Sequence, residues 1–252
     1  MRIKIIFFLL MACILSIESS TQMGSVAVAV DGKQVWNKEN TDSFSHAVVL
    51  GVYTMEAFHF IQANHFQLDA VAVSEGPGSY TGLRIGISLA KGLCFGLDIP
   101  LIAIPTLKIM ATRFVPSSSY LCPMIDARRM EVYSALYDEN LNEIEPVRAI
   151  VINEDSYRDI LLQKGIIFFG TGADKCKAVI WSSNAAFIDN IYPIASNMIE
   201  EAEKAFIKKA FVDVAYFEPF YLKEFQATTP KNKVIHTTPS IKVRGESKAM
   251  PP

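Results

Sequence analysis

The sequence predicts an α/β protein made of two related halves. Continuous apolar strands such as "LDAVAVSEG" (68–76) alternate with helical stretches, the pattern of a sheet covered on both faces. The strand–acid–turn–strand pattern that opens the chain returns faintly after residue 120. With 252 residues, half of them hydrophobic and 20% charged, the chain is globular and long enough for one large core or two small ones.

The elements follow in order. A strand over 14–19 precedes the polar turn "STQMG" and the two strands of "SVAVAVDGKQVW", joined at Asp31-Gly32, a hairpin signal. Phe44, Val48, Gly51, Met55 and Phe58 then recur at steps of three and four, which predicts a helix over 44–62 with Ser43 or Ser45 as its cap. After the strand at 68–76 comes a second helix over 79–97. "IPLIAIP" is a strand and 106–114 a third helix, so the first half reads β-β-β-α-β-α-β-α. "VPSSSY" (115–120) marks the boundary. In the second half, "PMIDARRMEVYSALYDENLNEI" reads as strand, acid, turn, strand, hairpin and strand. Helices follow over 155–163, 173–181 and 195–208, with the strand "IIFFG" after the first. Ile17-Glu18 and Ile125-Asp126 occupy equivalent places. The predicted division is an extension over 1–11, a first domain over 12–115, a second, degenerate domain over 116–225, and a polar, basic, disordered tail over 226–252.

Net charge is −2, so no global basic field draws the chain to nucleic acid; any RNA contact is local or borrowed from a partner. The four cysteines form no C-x-x-C pair and fit buried thiols in a reducing compartment. The four histidines show no metal-ligand spacing; His59 and His65, six apart, lie on nearly opposite helix faces. No metal or cofactor is expected. "MRIKIIFFLLMACILSIESS" resembles a signal peptide with a lipoprotein box at Cys13, but reads better as an extension ahead of a core strand, with Met11 as the start. We take the second reading, which places the chain in the cytoplasm. No other apolar run approaches the ~20 residues of a membrane span.

"SEGPGSYTGLRIGISLAKGLC" (74–94) admits two readings. A glycine-rich turn between strand and helix can cradle phosphate. Yet the spacing is neither G-x-x-x-x-G-K-[ST] nor G-x-G-x-x-G, and Lys91 lies nine residues beyond Gly82. The alternative is close packing. Gly82, Gly86 and Ala90 stack on one helix face, and Gly92 and Gly96 repeat the spacing. Each glycine costs a helix about 0.5–1 kcal/mol relative to alanine. The helix is apolar nearly all round, with only Arg84, Ser88 and Lys91 as a polar line. It must be covered on most sides, by the 44–62 helix and by either the chain itself or a second protein. Periodicity leaves both open.

"GPGSYTGLRIGISLAKGL", "ILSIESST…SVAV", "IPLIAIPTLKIMA", "MIDARRMEVYSALY" and "FEPFYLKE" together resemble the TsaB (YeaZ) family, over roughly residues 12–224. These are the non-catalytic partners of the bacterial tRNA threonylcarbamoyladenosine transferase. The resemblance implies two RNase H-like halves of the actin/sugar-kinase type, and pairing with the related catalytic subunit for threonylcarbamoyl transfer to the adenosine beside the anticodon. An ATPase subunit completes the assembly, and tRNA is met indirectly. Carried onto this sequence, the interface falls on Val48, Gly51, Met55, Ser79, Tyr80, Thr81, Gly82, Arg84, Ile85, Gly86, Ser88 and Leu89, which favours the partner-facing reading of the glycines. The same surface is suited to a homodimer when the partner is missing. The family often has Asp where Glu18 stands, and the histidine-rich motif of the catalytic sister family is not reproduced, so no catalytic residues are assigned.

The alternative is an actin-like small-molecule kinase or ATPase, with Glu18 and Asp126 as a carboxylate pair. Against it, both acids read as remnants bonding local backbone. Arg128 and Arg129 suit either a phosphate or partner-carboxylate contact or a plain surface hairpin.

Overall fold

The computed structural model describes residues 12–40, 46–114 and 118–223, side chains of 46–48 excepted. The readings placed on 1–11, on Ser43, Phe44 and Ser45, on the side chain of Val48 and on the tail over 226–252 lie outside the described residues.

The first half is built on β1 (Cys13–Glu18), β2 (Gly24–Val30), β3 (Lys33–Asn40), β4 (Leu68–Gly76) and β5 (Leu101–Pro105), ordered β3-β2-β1-β4-β5. β1 runs antiparallel to β2 and parallel to β4, and β4 runs parallel to β5. The connections carry α1 (His46–Ala63), α2 (Tyr80–Leu97) and, after β5, α3 (Thr106–Ala111). Alternation along the strands divides the core. Leu15, Ile17, Val71 and Val73 meet Leu50, Ala57, Leu83 and Ile87 of α1 and α2. On the other face, Ile14, Ala70, Ala72 and Ile102 meet Ile109 of α3 together with Met198 and Ala202. Leu15, Ile17 and Leu83 are fully buried, each worth about 1.5–3 kcal/mol over exposure.

The second half repeats this frame. β6 (Tyr120–Asp126), β7 (Glu131–Tyr137), β8 (Glu143–Val151), β9 (Ile166–Phe169) and β10 (Ala185–Ile188) take the order β10-β9-β6-β7-β8. Reversed, that is the arrangement of the first sheet, with β6 in the place of β1. The edge strand β8 tolerates Pro146 because an edge amide has no ladder partner to lose. Its crossover helices have shrunk. α4 (Arg158–Leu161) and α5 (Ala173–Cys176) have four residues each, where α1 and α2 have 18. Both are shorter than the periodicity predicted. Tyr157 enters α4 in a left-handed conformation (φ 63°), so the helix cannot start at 155. β10 escaped prediction, since four residues between polar turns carry little pattern.

A 3₁₀ turn (Ala195–Met198) leads into α6 (Ile199–Ile207), which packs on the first sheet through Met198 and Ala202, not on the second. The chain then runs back along the first half. The amide of Val212 donates to the Leu101 carbonyl (3.0 Å) and that of Phe220 to the Glu75 carbonyl (2.7 Å). A boundary drawn in sequence at 116–225 thus assigns to the second half a segment whose apolar side chains pack on the first.

Candidate functional site

α1 and α2 lie side by side over one face of the first sheet. α2 is sharply delimited. Ser79 caps its start, its Oγ accepting from the Gly82 amide (3.2 Å), and Asp98, left-handed at φ 53°, caps its end by donating to the Cys94 carbonyl.

The glycines in and around the two helices fall into two groups. A Cβ at Gly78 would sit 2.3 Å from the Ser20 carbonyl oxygen, one at Gly82 2.1 Å from that of Ser19, and one at Gly86 2.1 Å from Ser19 Oγ. Gly82 and Gly86 are buried. Their missing side chains admit this chain's own β1–β2 turn, so the reading of Gly82 and Gly86 as partner-facing is corrected: their face is occupied internally. Gly51, Gly92 and Gly96 have no neighbour within 4 Å and open outward.

The same contact bears on the phosphate reading. The Ser79 amide donates to the Ser20 carbonyl (2.6 Å) and the Gly82 amide to Ser79 Oγ, so two of the donors at the start of α2 are already taken, which speaks against an anion there. Glu18 is fully buried beneath this contact, with Oε1 accepting from the Ser20 amide (2.5 Å). Burial pushes its carboxyl up to about 7, partly offset by hydrogen bonding from Ser20. Asp126 makes the matching bond in the second half, Oδ1 accepting from the Arg128 amide (2.8 Å). It is exposed and paired with Lys175 Nζ (2.5 Å). Each acid ties down its own turn. The second half repeats the glycine contact too: Cβ atoms at Gly170 and Gly172 would meet Met124 and Ile125 backbone at 2.4 and 3.0 Å.

What faces outward is apolar. A groove of about 530 Å³ runs between the two helices, lined by Gly51, Thr54, Met55, Phe58, His59, Gln62, Leu89 and Leu93. Met55 is 62% exposed, and Phe95, farther along α2, is 85% exposed. Of the residues assigned to the interface, Gly51, Met55 and Leu89 line the groove, Thr81 and Ser88 are exposed beside it, and Ile85 is half-buried. Ser79 and Tyr80 belong to the start of α2, and Tyr80 stacks on Tyr221 at 4.6 Å. Arg84 is engaged within the chain, donating to the hydroxyls of Tyr80 (2.5 Å) and Tyr221 (3.2 Å). Lys91 donates to the carbonyls of Ala215 and Phe217. Arg84 and Lys91 of the polar line are therefore engaged by residues 215–221, while Ser88 stays exposed. Phe58, His59, Leu93 and Phe95 are not among the residues assigned to the interface; the open glycines Gly92 and Gly96 on α2 are the available signal. His59 lines the groove and His65 follows the helix in a left-handed conformation. Among the described residues no group of three His, Cys, Asp or Glu is placed to hold a metal ion.

A family model described as "TsaD: tRNA N6-adenosine threonylcarbamoyltransferase" matches residues 41–228. The Escherichia coli protein named tRNA threonylcarbamoyladenosine biosynthesis protein TsaB is 30% identical over 223 residues, 83% of this chain and 94% of that protein. The Bacillus subtilis protein of the same name is 31% identical over 169 residues, 64% of this chain and 72% of that one. The chain belongs to the TsaB family. A YeaZ-like crystal structure from Pseudomonas aeruginosa superposes with a TM-score of 0.74 at 24% identity, covering 84% of this chain and all of that one, which shows the shared fold. The fold is the two-half RNase H-like one, and in this TsaB-family chain an apolar groove lies between α1 and α2 among the described residues.

Proposed function

We propose that the chain is an accessory subunit that pairs, through the α1–α2 face, with the catalytic threonylcarbamoyltransferase subunit of the same superfamily. The pair modifies the tRNA adenosine next to the anticodon, with an ATPase subunit completing the assembly. The observation that carries this reading is the apolar groove between two helices whose opposite faces are sealed against their own sheet. Names of the relatives supply the pathway: the E. coli protein is a tRNA threonylcarbamoyladenosine biosynthesis protein.

The chain itself does no chemistry in this reading. Glu18 is sealed away from any substrate, and Asp126 is held by Lys175. This speaks against the kinase or ATPase alternative, whose phosphates would need the donors that Ser20 and Ser79 already occupy. Four free, buried cysteines fit a cytoplasmic place of work, and no described helix is long and apolar enough to cross a membrane. Without its partner the same face is suited to pair two copies of the chain.

Reconstitution tests the reading. Catalytic subunit, ATPase subunit, tRNA, ATP and threonylcarbamoyl donor are combined with and without this chain, and modified adenosine is measured by mass spectrometry. Modification is expected only with the chain present. Full-rate modification in its absence, or tight ATP binding by the isolated chain that is lost in Glu18→Ala, contradicts it.

A further inference from the structure

We propose that the pocket where the first half meets the chain leaving β10 binds a small free α-amino acid as its zwitterion. The pocket has a volume of about 350 Å³ and lies apart from the α1–α2 groove. Two charged side chains line it, Glu39 on β3 and Arg113 just past α3.

Opposite charges that share a small pocket attract each other. These two form no ion pair, and among the described residues Arg113 has no hydrogen-bond or ion-pair partner at all. Glu39 accepts only from the neutral Asn37 amide (3.3 Å), which leaves its charge uncompensated. The backbone around them is pinned. Thr112, next to Arg113, donates from Oγ1 to the Asn197 carbonyl (2.9 Å), and the Ala195 amide donates to Ser25 Oγ (2.8 Å). Ile191 packs with Leu107 and Met110 of α3. The 3₁₀ turn lies against both β3 and α3, so the two charges stand on separate, braced walls.

A ligand that satisfies both at once carries an anion and a cation of its own. Arg113 offers a planar fork of donors to a carboxylate, and Glu39 accepts from an ammonium. Gln22, Asn190 and Tyr192 add neutral donors and acceptors, and buried Met23 and half-buried Ile194 give the ligand's side chain an apolar surface. The volume is near the low end for ligand pockets, which suits a small molecule. A nucleotide is disfavoured twice, by its size and by phosphates set beside the Glu39 carboxylate. The inference is independent of the subunit reading above, since none of these residues lines the groove.

The test is heteronuclear NMR of the full, nitrogen-labelled chain. L-alanine, L-serine and L-threonine are titrated separately to about 20 mM. Saturable shifts are expected at the amides of Arg113, Asn190 and Tyr192, with a Kd of about 1 mM or tighter for at least one of the three. N-acetylalanine lacks the ammonium and alaninamide lacks the carboxylate; each should bind about tenfold or more weakly than alanine. Arg113→Gln and Glu39→Gln should each weaken the amino acid about tenfold or more. Both side chains are exposed, so the fold is kept, and the spectrum of each variant away from the pocket checks this. Absence of saturable shifts at these amides with all three amino acids overturns the proposal. So does undiminished binding in either variant. N-acetylalanine binding as well as alanine also overturns it, because the pocket then takes a plain carboxylate.

Discussion

Replacing Gly82 and Gly51 separately by alanine should move stability in opposite directions. Both lie inside 18-residue helices, and both substitutions gain about 0.5–1 kcal/mol of helix propensity. At Gly51 nothing lies within 4 Å of the new methyl, so the gain stands. At Gly82 the methyl lands 2.1 Å from the Ser19 carbonyl oxygen, and a backbone atom must move by about 1 Å to reach van der Waals contact. Overpacking of that kind costs about 1–3 kcal/mol. Moving Ser19 also disturbs the neighbouring Ser20, whose amide holds Glu18 and whose carbonyl accepts from Ser79. A buried bond lost there adds about 1–3 kcal/mol. The net expectation is a loss of about 2–4 kcal/mol for Gly82→Ala and a gain of about 0.5–1 for Gly51→Ala. Urea unfolding of the two full-length variants, followed by circular dichroism, measures both. A Gly82→Ala protein as stable as Gly51→Ala would refute the claim that Gly82 is a glycine for contact with the β1–β2 turn.

Glu18 makes stability depend on pH. Its folded pKa, about 7, lies above the ordinary 4.5, so the folded state holds the proton more tightly and stability falls as pH rises from about 4.5 to about 7. Glu18→Gln should remove that fall and raise stability at pH 8 by up to about 3 kcal/mol relative to its effect at pH 4; parallel profiles for the two proteins would contradict this. Lys175→Met should loosen the tip of the β6–β7 hairpin, since the ammonium bridges Asp126 and two backbone carbonyls. Faster limited proteolysis near Arg128 reads the effect, with a global cost of about 1–3 kcal/mol. Tyr221→Ala removes the ring stacked on Tyr80 and the hydroxyl bonded to Arg84. Hydrogen exchange should accelerate over 212–221 and stay unchanged in β6 to β9.

Much of this fold is written in local pattern. The apolar β4, the Asp31-Gly32 turn and the long amphipathic stretches announce the first half, and Ile17-Glu18 against Ile125-Asp126 announces the duplication. Even the role of the two acids was legible, because an acid two residues ahead of a turn amide can bond it. The destination of the glycine face was not. Spacing by four says that a backbone comes close to Gly82 and Gly86, but not whose backbone, and Ser19 lies some sixty residues away in sequence. The return of α6 and of residues 212–221 to the first half is long-range for the same reason. That α2 needs cover on most sides was legible, since a helix apolar nearly all round cannot face water all round, and an apolar groove does run between α1 and α2. Which flank stayed open depended on where Tyr221, Ala215 and Phe217 cover α2, and those contacts have no local signature.

The central claim is that the α1–α2 groove seats another subunit. Met55→Glu is its most direct test, because this side chain is 62% exposed and lines the groove. Analytical ultracentrifugation of the variant mixed with the catalytic subunit should show separate species, while its unfolding free energy stays within about 0.5 kcal/mol of that of the unaltered chain. A stoichiometric complex of undiminished affinity, with a glutamate in the middle of the groove, would contradict the claim.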